Sequence, residues 1–293
     1  MIDRLEMFVI LAQERHFGRA ARRLGITQPS LSSALKGLED LFGVQLVLRG
    51  SRFQGLTAEG ERVYARALPL IAESRALRDE MRAVRQGLTG DLRIGAVPTA
   101  LPAVADLTAP FAARYPGMRI AIYSRTSAEI LDQIDNLQLD AGVTYLDDEA
   151  RHRRECVPLY EESYALLISA SDPRAGRDQI GWEELGDLPL CLLTRDMQNR
   201  RIVDGLLAAA GVHAEPRVES NSNVALVGHV LTGRWASVVP AKLAEMLSAG
   251  GALASIPISG GRAETIGLVV VQRDPHTPAV AALLEAAGVR GGR

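Results

Sequence analysis

Nucleophiles and metal ligands are sparse in this chain, and their spacing forms no set. The two cysteines, Cys156 and Cys191, lie far apart with no CxxC interval, and the five histidines show no metal-ligand spacing. No GxSxG, phosphate-binding glycine loop or HExxH is present, and Asp140, Glu161 and Glu219 join the histidines in no recognisable acid–base or nucleophile arrangement. The residues therefore favour binding over catalysis, and no cofactor or metal is expected. From Arg15 to Arg52 seven basic residues, Arg15, Arg19, Arg22, Arg23, Lys36, Arg49 and Arg52, face only Glu39 and Asp40, on a chain of formal net charge −2. A local basic patch on a near-neutral protein is a footprint for phosphate. A second group of polar residues recurs further on: Pro98-Thr99-Ala100, Arg125-Thr126-Ser127, Thr144, Thr194-Arg195, and Asn221 with Asn223 as further donors. Hydroxyls, amides and two arginines around one gap would suit a small anion such as a carboxylate. Ordinary helix capping accounts for Thr99, Thr126 and Ser127 nearly as well, and surface ion pairing for the arginines.

The elements that must position the basic patch are legible. Leu31, Leu35, Leu38 and Phe42 recur at helical spacing and share one face. Pro29, Ser30 and Ser33 point away from it, with Ser32 and Lys36 on its flank. An upstream helix turns Ala20, Ala21 and Leu24 inward, Gly25 suits a left-handed C-terminal position, and Thr27 caps the next helix with Pro29 in its first turn. Leu5, Phe8, Val9 and Ala12 make a first helix beneath the pair, and His16 stands near the start of the second. A glycine turn between two helices, with small polar residues outward, is the pattern of a DNA-reading helix-turn-helix. Leu46-Val47-Leu48 and Leu56-Thr57 read as a two-stranded wing carrying Arg49 and Arg52, suited to backbone or minor-groove contact.

The segment from Leu5 to Gly60 resembles, without gaps, the winged helix-turn-helix of the LysR-type transcriptional regulators. The residues that carry the likeness are Phe8, Phe17, Ala20-Ala21, Leu24, Thr27 to Ser32, Leu38-Glu39, Leu41-Phe42-Gly43, Leu46, Arg49 and Leu56 to Gly60. The resemblance implies DNA contact through Arg19, Thr27, Gln28, Pro29, Ser30, Ser32, Ser33, Lys36, Arg49 and Arg52. Where the family often carries arginine after Ser32, this chain has Ser33, which leaves Gln28, Pro29, Ser32 and Lys36 for the bases. It further implies a homodimer or homotetramer on a partly palindromic promoter site, a small-molecule effector, contact with RNA polymerase, and a place in the cytoplasm. Cys156 and Cys191 read as two reduced thiols; a redox pair, which the family allows, would need closer spacing.

The remaining chain completes a multi-domain architecture. Thr57 caps a long helix in which Val63, Ala67, Leu70, Ser74, Leu77, Met81, Val84 and Leu88 alternate in steps of four and three, a seam for dimerisation, with Pro69 as a kink. The expected domains are 1–58, an all-α winged helix-turn-helix; 59–89, the linker helix; and 90–293, an effector-binding domain. After Gly90, strand–helix–strand alternation implies parallel α/β sheets, and the order of elements resembles the family's two-lobed, periplasmic-binding-protein-like domain. Lobe I is expected at about 90–162 and 267–293, and lobe II at about 163–266, with crossings near Glu161–Tyr164 and Thr265–Gly267. Hydrophobic content of 47% with 23% charged residues describes an ordinary globular protein. No apolar run approaches a membrane span, and MIDRLEMF is no signal peptide. A solute-binding protein remains the rival reading, since the two lobes alone would suit one.

Overall fold

The computed structural model describes residues 1–48 and 53–288. Arg49 and Arg52, both expected on the wing, lie outside the described residues. The chain forms two compact units, Met1–Gly87 and Leu88–Arg293.

In the first unit, α1 (Ile2–Glu14), α2 (Phe17–Leu24) and α3 (Gln28–Phe42) enclose Leu5, Phe8, Leu11, Ala20, Leu31 and Leu38, all nearly inaccessible to solvent. Each helix ends on a left-handed residue: Arg15, Gly25 and Gly43. Phe42 departs from the expected stripe. It is 40% exposed, because the helix ends there and the chain turns at Gly43 before Leu46 and Val47 return to the core. Among the described residues the wing shows an antiparallel bridge between Val47 and Leu56, flanked by Leu48 N donating to Gly55 O and Thr57 N donating to Leu46 O.

Helix α4 (Ala58–Gln86) opens on Thr57, whose Oγ1 accepts from Gly60 N at 2.9 Å and donates to Gln45 O at 2.6 Å. The helix continues through Pro69. The expected seam divides between different neighbours. Ala67 is buried with Ile71 and Ala76 inside this unit, and Leu88 packs on the core of the second unit. Leu70, Leu77, Met81 and Val84 stay between 49% and 78% exposed.

The second unit holds two lobes. The first is built from β1 (Gly90–Ala96), α5 (Leu101–Arg114), β2 (Met118–Ser124), α6 (Ser127–Asp135), β3 (Ala141–Tyr145), the short α7 (Asp148–Arg151) and β4 (Arg154–Glu162). Its sheet runs β2–β1–β3–β11–β4, where β11 (Glu264–Val271) returns from the far end of the chain; β2, β1 and β3 are parallel and β11 is antiparallel to both its neighbours. Gly142 lets α6 close on this sheet, since a Cβ there would lie 2.3 Å from Ile130. The other lobe comprises β5 (Tyr164–Ser169), β6 (Ile180–Gly181), β7 (Cys191–Leu193), α8 (Gln198–Ala209), β8 (Val218–Ser220), α9 (Asn223–Leu231), β9 (Ser237–Pro240), α10 (Ala241–Ser248) and β10 (Leu253–Ser259). Its strands form a β6–β10–β5–β9 sheet, extended by the β7–β8 pair through a Leu190–Ala236 bridge. Helix α11 (Pro278–Gly288) closes the first lobe.

The chain crosses from sheet to sheet at Ser163, between β4 and β5. The return crossing falls at residues 260–263, earlier than expected, because Thr265 and Ile266 already pair with Glu161 and Tyr160 in the first sheet. Gly260 and Gly261, with φ of 78° and 93°, make the turn that an L side chain would resist.

Candidate nucleic-acid interface and effector cleft

Helix α3 separates its two faces cleanly. Leu31, Leu35 and Leu38 are buried, while Gln28, Pro29, Ser30, Ser32, Ser33 and Lys36 are exposed. Thr27 Oγ1 accepts from Ser30 N at 3.3 Å and lies 2.8 Å from Ser30 Oγ, so these two hydroxyls hold the helix start and each other. Gln28, Ser32, Ser33 and Lys36 are left as the outward polar groups of that face. Arg19 donates to Glu14 O and, with Arg23, pairs with the Glu14 carboxylate. Such exposed pairs hold by about 1 kcal/mol or less, so a phosphate can compete for both guanidinium groups. His16 caps α2, its Nδ1 accepting from Gly18 N and Arg19 N. Arg4 reaches Gly37 O at 3.3 Å and ties α1 to the back of α3.

In the second unit the strand ends of both lobes meet at a small gap of about 10 Å³, room for about one water, lined by Val97, Pro98, Thr99, Thr126, Ser127, Leu193, Met197, Gln198 and Asn199. Four of the expected residues, Pro98, Thr99, Thr126 and Ser127, are brought together there. Thr144 stands behind them, its Oγ1 donating to Ser127 Oγ at 2.9 Å. Ala100 is fully buried in the turn preceding α5 and is not among the lining residues. Thr194 has a buried hydroxyl with no partner among the described residues, beside the lining Leu193.

Both expected arginines lie off the lining. Arg125 turns back to Ser124 O at 2.8 Å and stacks over the Tyr123 ring, and Arg195 is exposed. The N-terminus of α6 is already capped by a carboxylate: Glu129 Oε2 accepts from Thr126 N at 2.8 Å and from Thr126 Oγ1 at 3.0 Å. The lining is therefore neutral: of the hydroxyls, amides and arginines behind the expected anion, hydroxyls and amides line the gap and the arginines do not. Asn221 is exposed. Asn223, two residues later at the start of α9, is the one that reaches across, its Nδ2 donating to Pro98 O at 3.1 Å. Gln198 Nε2 likewise crosses to Asp147 Oδ2 at 2.8 Å.

Sequence spacing gave no hint of the network behind the gap. Asn199 Nδ2 donates to the Tyr145 hydroxyl at 3.1 Å, and that hydroxyl donates to Glu162 Oε1 at 2.7 Å. Tyr164 donates to the same oxygen at 3.1 Å. Glu162 is 1% exposed, its Oε2 has no partner among the described residues, and burial pushes its carboxyl up to about 7. The other acids have structural partners: Asp140 holds Arg93, Glu161 accepts from Thr265, and Glu219 pairs with the buried Arg200. No group of three or more metal-ligating residues occurs among the described residues.

The thiols sit apart from the gap. Cys156 on β4 points to Ala150 O, and Cys191 on β7, in the other lobe, is fully buried against Leu226 O. Burial raises both, Cys191 to about 11.

Residues 2–61 match the family profile described as "Bacterial regulatory helix-turn-helix protein, lysR family", and residues 85–289 match the "LysR substrate binding domain". Similar proteins include a hydrogen peroxide-inducible genes activator of Pectobacterium carotovorum, 29% identical over 81% of this chain and 78% of that protein. The regulator TtuA of Agrobacterium vitis is 26% identical over 97% and 96%. Among solved structures, a full-length OxyR variant from Pseudomonas aeruginosa superposes with a TM-score of 0.77 at 27% identity, covering 98% of this chain and 94% of that one. CbnR in complex with its target DNA shares the fold at a TM-score of 0.66 and 22% identity, over 99% of each chain.

Proposed function

We propose a function from one premise: the chain belongs to the LysR family of bacterial transcriptional regulators. It is a DNA-binding regulator with an effector-binding domain, and the rival reading as a solute-binding protein does not survive the match over residues 2–61. The relatives named above are regulators, which agrees with the lack of a catalytic set in the sequence. No helix of the described residues is long and apolar enough to cross a membrane.

Helix α3 enters the major groove of a partly palindromic promoter site, with Gln28, Ser32 and Lys36 toward the bases and Arg19, Arg49 and Arg52 toward phosphates. The observation that carries this is the exposed polar face of α3 opposite buried Leu31, Leu35 and Leu38. In a gel shift with DNA upstream of the neighbouring gene, Gln28→Ala or Ser32→Ala is expected to cost about 1–3 kcal/mol on the cognate site and little on random DNA. Arg19→Ala should weaken both about equally and flatten the salt dependence. Equal losses on both DNAs for all three variants would refute the base-reading assignment.

The exposed stripe Leu70, Leu77, Met81 and Val84 supports dimerisation through α4. Ile122 and Tyr123 on the edge strand β2, with Val224 and Leu231 on α9, support a further pairing of effector domains into a tetramer. The effector sits between the lobes, on Thr99, Thr126, Ser127 and Asn199, and acts by the difference in its affinity for open and closed lobes.

Several relatives are named for peroxide response, but this chain's thiols do not suit such chemistry. They lie on strands of different lobes, and burial holds both away from the reactive thiolate. Hydrogen peroxide is expected to leave promoter binding unchanged, and Cys156→Ser and Cys191→Ser should respond like the parent. A peroxide-dependent band shift abolished by either substitution would overturn this.

A further inference from the structure

Glu162 is the last residue of β4 and immediately precedes Ser163, where the chain passes from one sheet to the other. Its carboxyl is held by one tyrosine from each lobe, Tyr145 on β3 and Tyr164 on β5. Tyr145 in turn receives Asn199, a cleft-lining residue of the opposite lobe. One continuous run of hydrogen bonds thus joins the effector gap to the hinge and crosses between the lobes twice.

The carboxyl is half satisfied as it stands. Both tyrosines donate to Oε1, and Oε2 is buried with no partner among the described residues. If ionised, Oε2 is half of a buried charge with no cation in contact; if protonated, the hydrogen can sit on Oε1 and be accepted by the Tyr164 hydroxyl. The second state costs less, because a lone buried charge is the more expensive of the two. Burial outweighs the hydrogen bonds from Tyr145, Tyr164 and Asn199, which favour the charged form. Tyr160 and Glu161 flank it on its own strand, and Glu264 on β11 adds a like charge. The groove outside the hinge adds Lys242 and Glu245 of α10, and Lys242 is engaged with Asp106 and the Tyr160 ring.

We propose that Glu162 makes closure of the two lobes proton-linked: the closed cleft holds it protonated, and opening the hinge releases the proton as the carboxylate meets water. The inference rests on the reading of the gap as an effector cleft that opens and closes. The sign follows from linkage. The closed-state value is raised to about 7 against an ordinary 4.5. The advantage of closure is therefore complete below about 4.5, shrinks about tenfold per pH unit above it, and is lost by about 7, beyond which it is flat. An effector that donates a hydrogen toward this network would restore closure at neutral pH.

The test compares hydrogen–deuterium exchange of the full chain and its Glu162→Gln variant at matched pH, from about pH 5 to about pH 8.5, so that intrinsic exchange rates cancel. Amides at residues 99–100 and 198–199 are read. The ratio of parent to variant exchange should climb with pH and level off roughly 10²-fold higher above neutrality. A ratio constant across that range would overturn the proposal. Should Glu162→Gln fail to fold, Tyr164→Phe serves instead. It removes a donor that favours the carboxylate, so the pH at which the rise in exchange levels off should move upward, and an unmoved profile would equally defeat the inference. Binding of promoter DNA by the parent protein is a separate measurement that stands whichever way this one falls.

Discussion

A chain carrying Leu77→Lys and Met81→Lys should sediment as a monomer and lose promoter affinity by roughly 10²-fold or more, without loss of helix. Both side chains are at least half-accessible in the single chain, at 59% and 50%. Nothing within the first unit is therefore emptied by replacing them. Lysine is also a good helix former, so α4 should persist. What changes is the surface between copies. Leu70, Leu77, Met81 and Val84 follow one another in steps of seven, four and three, the spacing of a coiled-coil stripe. Arg78, Arg82 and Arg85 already flank it, and two further cations on each partner would face their symmetry mates in a desolvated seam. Two heads bound to one another search for the second half-site at an effective concentration, and that gain of about 10²–10⁴ vanishes in a monomer. Sedimentation velocity and a two-half-site gel shift measure the two effects. A double variant that remains dimeric, with unchanged affinity, would remove α4 from the assembly.

Gly60→Ala is expected to disable the DNA-binding unit while sparing the effector domain. Gly60 lies in the first turn of α4, pressed against the strand that leads into the wing. A Cβ there would sit 2.0 Å from Leu46 O and 3.2 Å from Leu56 Cβ. The first neighbour is backbone, and it is itself bonded to Thr57 N, so it cannot swing aside as a flexible side chain would. Helix propensity alone argues the opposite way, since alanine is better than glycine by about 1 kcal/mol. Steric overlap should win, because overpacking of a tight contact costs typically about 1–3 kcal/mol and here the backbone must move. In a unit of this size each kcal/mol lowers the midpoint by about 4–8 °C. Calorimetry should show the transition of the first unit falling while that of the second stays in place. A stabilised variant would mean that the close approach of α4 to Leu46 does not exist.

What the sequence determined by itself is local in origin. The two-helix head was legible because apolar periodicity, a capping threonine and a glycine at a left-handed position act within a few residues, and the structure keeps Thr27 and Gly25 in those roles. Strand and helix alternation in the effector domain was legible for the same reason. Tertiary structure decided which residue on a correctly placed element touches what. Leu88 continues the apolar repeat of α4 yet packs on another core, and Phe42 completes the stripe of α3 yet remains exposed. A long side chain can turn either way: Arg125 folds back onto Ser124 O and Arg195 is exposed, so neither lines the gap. Asn223 rather than Asn221 spans the cleft, a choice made by the direction in which α9 starts. Glu162 shows the limit most clearly. Nothing adjacent to it in sequence sets it apart from Glu161, and it is the meeting of two sheets around one bend that buries the first carboxylate and leaves the second beside Thr265.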